Sequence, residues 1–297
     1  MNIGDWIGAL KRLEGAYAPS TLRGYATDFR LFASWCEQKG LTPLPAAPET
    51  IARYVDEHAD LHAATTIKRR LAGIRKVHHL LRLPNPVIDE EVVIAVRRAL
   101  RRKPGRPNQA LGLNRDLRDR LIGACDDDLV GLRNRALIAV GYDTLCRRSE
   151  LVLLRVEDLA VNPRGGMSIL VRRAKNDPHG KGRLASLSTE TGAILKAWLE
   201  AAEISEGPLF RPVWGPNVGV SGLAPYTVTR ILKSAARSAE VDEVTVEGLS
   251  GHSMRVGAAQ DLMVRGCGIL QIMRAGGWKS TETVARYVEN VELSLWE

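Results

Sequence analysis

The sequence predicts a mainly α protein in two domains, a small N-terminal helical bundle and a larger, mostly helical C-terminal domain with a small β-sheet. Three observations carry that expectation. Apolar residues recur at three- and four-residue steps through most of the chain, a basic stretch rich in proline and glycine interrupts them after residue 100, and strand-like alternation is confined to one short section. At 297 residues and 45% apolar content, the chain can bury two cores.

The N-terminal domain is assigned to residues 1–104. APSTLRGYATDFRLFASWCEQKG, residues 18–40, reads as a helix with Ser20 as N-cap, Leu22, Tyr25, Phe29, Phe32 and Trp35–Cys36 on one face, and Gly40 at its end. Pro48 opens a second helix that turns Ile51, Tyr54 and Val55 inward. A third runs from about Ala64 to Leu81 and is stopped by PNPV at 84–87; a fourth, about 89–102, carries Val92, Val93, Val96 and Leu100. Four amphipathic helices with short connections make a bundle. Residues 105–114, within RRKPGRPNQALGLN, read as a basic linker. From 115 to 297 helical periodicity returns, broken by a hairpin formed from MSILVRRA, a turn at NDPHGKG, and RLASLS.

Composition narrows the function. MNIGDWIGALKRLEGAYAP lacks the basic and apolar regions of a signal peptide, and no apolar run approaches the roughly 20 residues of a membrane span. Cys36, Cys125, Cys146 and Cys267 lie far apart with no histidine at ligand spacing, which reads as reduced thiols in a cytosolic protein rather than a metal site. Residues 1–110 hold 18 Lys+Arg against 11 Asp+Glu, whereas residues 111–297 hold 24 against 23. Almost all of the net charge of +8 therefore sits in the first third of the chain, which points to a polyanion, nucleic acid before membrane.

Four stretches of the C-terminal domain carry chemistry. YDTLCRRSELVLL holds Arg147 and Glu150, the hairpin holds Lys175, GHSMRVG holds His252 and Arg255, and AGGWKSTETVARYVEN holds Trp278 and Tyr287 nine residues apart. Singly, each has an ordinary explanation: a solvated helix end, a hairpin lysine, a histidine near a cap, a core tyrosine. Their joint occurrence and order shift the balance.

That order, Arg…Lys…His-x-x-Arg…Trp…Tyr, resembles the tyrosine recombinase (phage integrase) family. GHSMRVGAAQD, IMRAGGW and Y-x-T-L-x-R-x-x-E at 142–150 resemble its Cre-like branch most. The resemblance covers nearly the whole chain. It implies a SAM-like core-binding domain and a catalytic domain that form a clamp on double-stranded DNA, cutting and rejoining it without cofactor or metal.

The chemistry agrees with the resemblance. Cleaving a phosphodiester without a metal needs permanent positive donors on the non-bridging oxygens, and arginine supplies a planar pair of N–H groups. By resemblance Arg147 and Arg255 take that role and Tyr287 is the nucleophile, forming a 3′-phosphotyrosine. A free phenol titrates near about 10 and needs help to ionise, so His252 is the candidate for proton handling. Lys175 matches the family's general acid, with Lys181 across the same turn as its rival. Trp278 donates an indole N–H where much of the family has a second histidine, and Glu150 braces the site. DDD at 126–128 reads as a solvated cluster rather than a metal site.

For DNA binding, ATTIKRRLAGIRKVHHLL turns Ile67, Leu71, Ile74, Val77 (or His78) and Leu81 inward and presents Lys68, Arg69, Arg70, Arg75 and Lys76 as a basic face. Arg106 in the linker and Tyr226 and Arg230 further on are additional candidates. The C-terminal VENVELSLWE is apolar at Val288, Val291, Leu293, Leu295 and Trp296. Such a tail either folds back on its own domain or, as the resemblance implies, docks head to tail into a neighbour. Docking would close a tetramer, a dimer on each of two paired sites of inverted half-sites. The expected setting is a prokaryotic cytoplasm, on DNA. A DNA-binding protein that has lost catalysis and a topoisomerase-like nicking-closing enzyme are the rival readings.

Overall fold

The computed structural model describes residues 5–102, 109–161, 166–172, 182–289 and 291. The chain divides into two units, Met1–Pro107 and Asn108–Glu297.

The first unit contains five α-helices among its described residues: α1 (Trp6–Lys11), α2 (Pro19–Gln38), α3 (Pro48–His58), α4 (Ala64–Leu80) and α5 (Glu90–Arg102). α1 is an addition to the four expected from periodicity; it is too short to show a repeat, and Asp5 caps it by accepting from Gly8 N at 2.8 Å. α2 begins one residue before the expected cap. Pro19 occupies the first turn and Ala18 is the N-cap, because proline brings a helical φ and has no N–H to satisfy there. Ser20 therefore lies inside the first turn. Gly40, with φ of 66°, follows the last turn of α2.

α2 packs on α4 and α3 on α5. Phe29, Phe32, Ile51, Val55, Ile74, Val77 and Val92 form a fully buried core, each contributing about 1.5–3 kcal/mol by leaving water. Phe32, Trp35 and Tyr54 meet at ring-centroid distances of 5.1–6.2 Å. α4 comes close to α2 at Gly73, where an added Cβ would stand 3.1 Å from the Cβ of Asp28. Val77 and His78 are both buried. The His78 Nδ1 donates to the Ile74 carbonyl at 2.9 Å, so Nε2 is the acceptor for the Ala46 N–H at 3.0 Å.

One expected DNA contact is corrected here. Arg70 is buried at 8% exposure, and its Nη1 donates to the Tyr54 hydroxyl at 3.0 Å. It is a bracket between α4 and α3. Beneath the same helix Asp28 is fully buried and accepts from Arg69 Nη1 at 2.7 Å. Burial raises the Asp28 pKa, opposed by the charges of Arg69 and Arg70.

The second unit runs α6 (Arg115–Gly123), α7 (Leu129–Asp143), α8 (Arg148–Leu151), β1 (Leu159–Val161), β2 (Met167–Val171), β3 (Arg183–Leu187), α9 (Thr189–Ala201), β4 (Val213–Trp214), β5 (Asn217–Val218), α10 (Pro225–Ser238), α11 (Glu243–Gly248), α12 (Ser253–Val264), α13 (Ile269–Gly276) and α14 (Thr281–Val288). α7 is buried without a break from Ala136 to Tyr142 and is the central helix, packed by α9, α6 and α12. Asp128 caps it by accepting from Gly131 N at 2.7 Å and Asp127 pairs with Arg135 at 2.7 Å, which gives two carboxylates of the DDD run structural tasks.

The expected hairpin is present as β2 and β3, antiparallel with Ile169 opposite Ala185 and Val171 opposite Arg183. β1 adds a third strand, and β4–β5 make a separate two-residue ribbon that periodicity could not register. The last part of the segment expected as linker is already packed. Leu113 is fully buried in this unit's core, and its N–H donates to the Ser253 carbonyl at 2.9 Å.

Candidate active site

The turn before α12 holds His252. Ser253 Oγ accepts from Ser250 N at 2.9 Å and Ser250 Oγ from His252 N at 3.2 Å, so the two serines fold LSGHS into a tight turn with His252 as the N-cap. The glycines of GHSMRVG allow close approach. A Cβ on Gly251 would lie 2.6 Å from Arg148 Cδ, and one on Gly257 1.8 Å from the Leu113 carbonyl oxygen. The sequence therefore brings the α7–α8 corner and the approach to α6 directly onto α12.

Arg147 is the N-cap of α8. Its Nη1 donates to Glu150 Oε1 at 2.6 Å, while its backbone N donates to Glu150 Oε2 at 3.0 Å. Glu150 is 4% exposed, so one buried carboxylate holds both the backbone and the head of Arg147. Arg255 has no exposed surface. Its Nη1 donates to the carbonyl of Leu145, a residue held at a left-handed φ of 49°. The guanidinium carbon stands 4.0 Å from the Trp278 ring centroid and 5.7 Å from that of Tyr287; the two rings are 4.9 Å apart. Trp278 packs against Gly276, where a Cβ would come within 2.0 Å of the indole, and Gly277 with φ of 67° ends α13 and turns the chain toward it.

The electrostatics are those of an anion site. Burial first, then the charge of Arg147, pushes the Arg255 pKa down to about 10, against the opposing influence of Tyr287 and Glu150. The group remains a cation at neutral pH. Partial burial, followed by the charges of Arg255 and Arg147, lowers the pKa of His252, although the residue as a whole is exposed. Arg255 Nε and Nη2 and Trp278 Nε1 are among the buried side-chain atoms that have no hydrogen-bond partner in the described residues. A buried donor without a partner costs about 1–3 kcal/mol, more when charged, and three of them together favour an acceptor bearing negative charge.

The structure thus brings Arg147, Glu150, His252, Arg255, Trp278 and Tyr287 together. Lys175, its rival Lys181 and the linker Arg106 lie outside the described residues. On α4, Lys68, Arg69 and Arg75 are exposed, while Lys76 is half-buried with its Nζ 2.9 Å from the Tyr17 hydroxyl. Tyr226 and Arg230 are exposed at the start of α10.

Comparison with known proteins decides the family. Residues 113–292 match the phage integrase family and residues 6–83 the phage integrase N-terminal SAM-like domain. The chain is 35% identical over 299 residues to an integrase/recombinase XerD homolog of Selenomonas ruminantium, covering 95% of this chain and 84% of the relative. The chain belongs to the phage integrase family of tyrosine recombinases. It is also similar to the Cre recombinase of Escherichia phage P1, at 28% identity over 93% of this chain and 86% of the phage protein. Its fold resembles that of a lambda integrase tetramer bound to a Holliday junction, with a TM-score of 0.67 at 14% identity over 99% of this chain and 79% of the other.

Two further features shape the recombinase's site, one joining Tyr142 and Asp261, which stand at the outer ends of Y-x-T-L-x-R-x-x-E and GHSMRVGAAQD, and one centred on Arg183. Tyr142 donates to Asp261, which also accepts from Arg115 N at 2.7 Å, so α7, α12 and the start of α6 share one carboxylate. Burial and that carboxylate raise the Tyr142 pKa, keeping the phenol a donor. Arg183 on β3 reaches the carbonyls of Thr144 and Ala275. The one signal for it in the sequence is parity, since Arg183 shares a strand face with Ala185 and Leu187, which are buried.

Proposed function

We propose that the recombinase cleaves and rejoins double-stranded DNA at specific sites by direct attack of the Tyr287 hydroxyl on a phosphodiester. The new bond joins phosphorus to the phenolic oxygen, and the bond to the 5′ oxygen breaks, leaving a 3′-phosphotyrosine and a free 5′-hydroxyl. Religation runs the same step backwards, with no nucleotide consumed.

The observation that carries this is the set of unpartnered buried donors, Arg255 Nε, Arg255 Nη2 and Trp278 Nε1, gathered beside the Tyr287 ring. Donors placed where charge develops stabilise the transition state in a water-poor site. Arg147 adds a second guanidinium, so negative charge on the non-bridging oxygens is met by side chains and the proposed step is metal-free. His252, with its lowered pKa, is neutral near pH 7 and suited to take the phenolic proton. Lys175 or Lys181 would protonate the leaving 5′ oxygen.

Lys68 and Arg75 on α4, with Tyr226 and Arg230 on α10, are proposed to hold the duplex, and DNA would be the recombinase's cytoplasmic partner. By likeness to the lambda integrase tetramer, the active assembly is proposed as a head-to-tail tetramer on two sites, a dimer on each, joined through the C-terminal tail. The intact set of site residues favours this over a catalytically silent DNA-binding protein.

The test is covalent trapping. The recombinase is incubated with genomic DNA from its host and stopped with detergent, and the protein-linked fragments are sequenced while the linked peptide is identified by mass. Linkage at Tyr287, absent in Tyr287→Phe although native filter binding persists, is the expected result. Linkage through any other residue would sink the mechanism.

A further inference from the structure

The proposed reaction leaves one half-buried cation of the site without a task. Arg183 Nη1 donates to the Ala275 carbonyl at 2.8 Å, and Nη2 donates to the Thr144 carbonyl at 2.5 Å and lies 3.6 Å from Cys146 Sγ. The two carbonyls belong to segments that run straight into site residues. Thr144–Cys146 leads to Arg147, and Ala275–Gly277 leads to Trp278 and on to the helix of Tyr287. Backbone approaches the arginine closely only because of Gly277, where a Cβ would stand 2.9 Å from Arg183 Cδ. The two segments lie far apart along the chain; Arg255 joins them on one side, through the Leu145 carbonyl and the Trp278 ring, and the planar fork of Arg183 ties their backbones on the other.

We propose that Arg183 is a positioning residue of the recombinase. Its guanidinium holds the Arg147 turn and the Trp278 turn in one register, so that donors from both face the same phosphate as Tyr287. The inference rests on the phosphoryl-transfer reading. A fork can bind two carbonyls in fixed directions, whereas an ammonium is a single point charge on a flexible stem. Arg183→Lys therefore keeps the charge and loses the register. Misplacing catalytic groups by about an ångström costs on the order of a hundredfold in rate.

The experiment uses the full chain and a DNA site recovered by covalent trapping. Single-turnover cleavage at saturating DNA, DNA affinity and thermal unfolding are measured for the parent, Arg183→Lys and Arg183→Gln, each alone and combined with Trp278→Phe. Cleavage by the parent checks the underlying reading by itself. Arg183→Lys should slow cleavage by roughly tenfold to a hundredfold while affinity stays within about twofold. Beside Trp278→Phe that loss should shrink to a few-fold, because the two act as one unit. Arg183→Lys cleaving at close to the parent rate would overturn the proposal. So would an undiminished loss in the Trp278→Phe background, or unfolding of both Arg183 variants at the assay temperature, which would make Arg183 a residue of the fold alone.

Discussion

The guanidinium of Arg255 lies 4.0 Å from the centre of the Trp278 ring, fully buried, with Nε and Nη2 unpartnered among the described residues. The cation–π contact and the Leu145 carbonyl hold the guanidinium in place, and Nε and Nη2 are left for an acceptor. Fixing a charge in this way, without neutralising it by a carboxylate, suits a site whose counter-charge arrives with the substrate.

Arg255→Ala should reduce single-turnover cleavage by on the order of a hundredfold or more, the scale of one missing transition-state donor. Affinity for DNA should change little, because most of the donor's value appears as charge develops. Gel-shift and cleavage assays on the same DNA separate the two. A parallel collapse of affinity would make Arg255 a docking residue.

The lowered pKa of His252 sets the pH response. The imidazole must be neutral to accept a proton, and a depressed pKa keeps it neutral to lower pH than a free histidine. Cleavage should hold as pH falls to the ordinary histidine value near about 6.5 and decline only below it. His252→Asn should lower the rate and remove that acidic limb from a pH–rate profile.

Two glycine substitutions should separate fold from site. Gly257→Ala drives a methyl onto the Leu113 backbone and should cost at least about 1–3 kcal/mol, seen as a lower melting temperature. Gly251→Ala meets first the side chain of Arg148, whose Cδ at 2.6 Å can swing aside but whose Cβ at 3.0 Å yields only with its backbone. Its melting temperature should fall less than that of Gly257→Ala, while cleavage slows as the neighbouring Arg147 turn is disturbed.

On α4, Lys68 and Arg75 are the clean pair for testing DNA binding, since Arg69 also neutralises the buried Asp28. Changing both to Gln should flatten the log–log salt dependence of binding by roughly 0.9 for each phosphate no longer neutralised. Arg70→Met should leave that slope unchanged and instead lower the melting temperature, by removing the bracket to Tyr54.

Most of this architecture can be read from residues because its signals are local. The helices after Pro48 and near Ala64 and residue 89 announce themselves by proline and a repeating apolar stripe, and the hairpin by alternation. The site is legible because four short motifs keep their order along the chain. Arg70 is a different case, because its charge and its helical phase point in opposite directions. It lies three residues after Ile67 and four before Ile74, on the buried stripe, and the phase is the better guide. Arg183 sets the same conflict in a strand. The contacts at Thr144 and Ala275, like the burial of Asp28, depend on segments far apart in sequence, and no window along the chain contains them.

The neutral ring of His78 ties α4 to the loop before α3 by bonds that acid opposes. Nδ1–H donates a hydrogen bond to the Ile74 carbonyl and Nε2 accepts one from the Ala46 N–H, an arrangement open only to the uncharged imidazole. Burial holds its pKa below the usual value. The unfolded chain therefore binds a proton that the folded bundle refuses, and stability present above the unfolded pKa of about 6.5 drains away as pH falls toward the folded one. Mild acid should loosen the grip of α4 on the loop before α3. The helix that carries Lys68 and Arg75 would then lose part of its backing while both side chains keep their full charge.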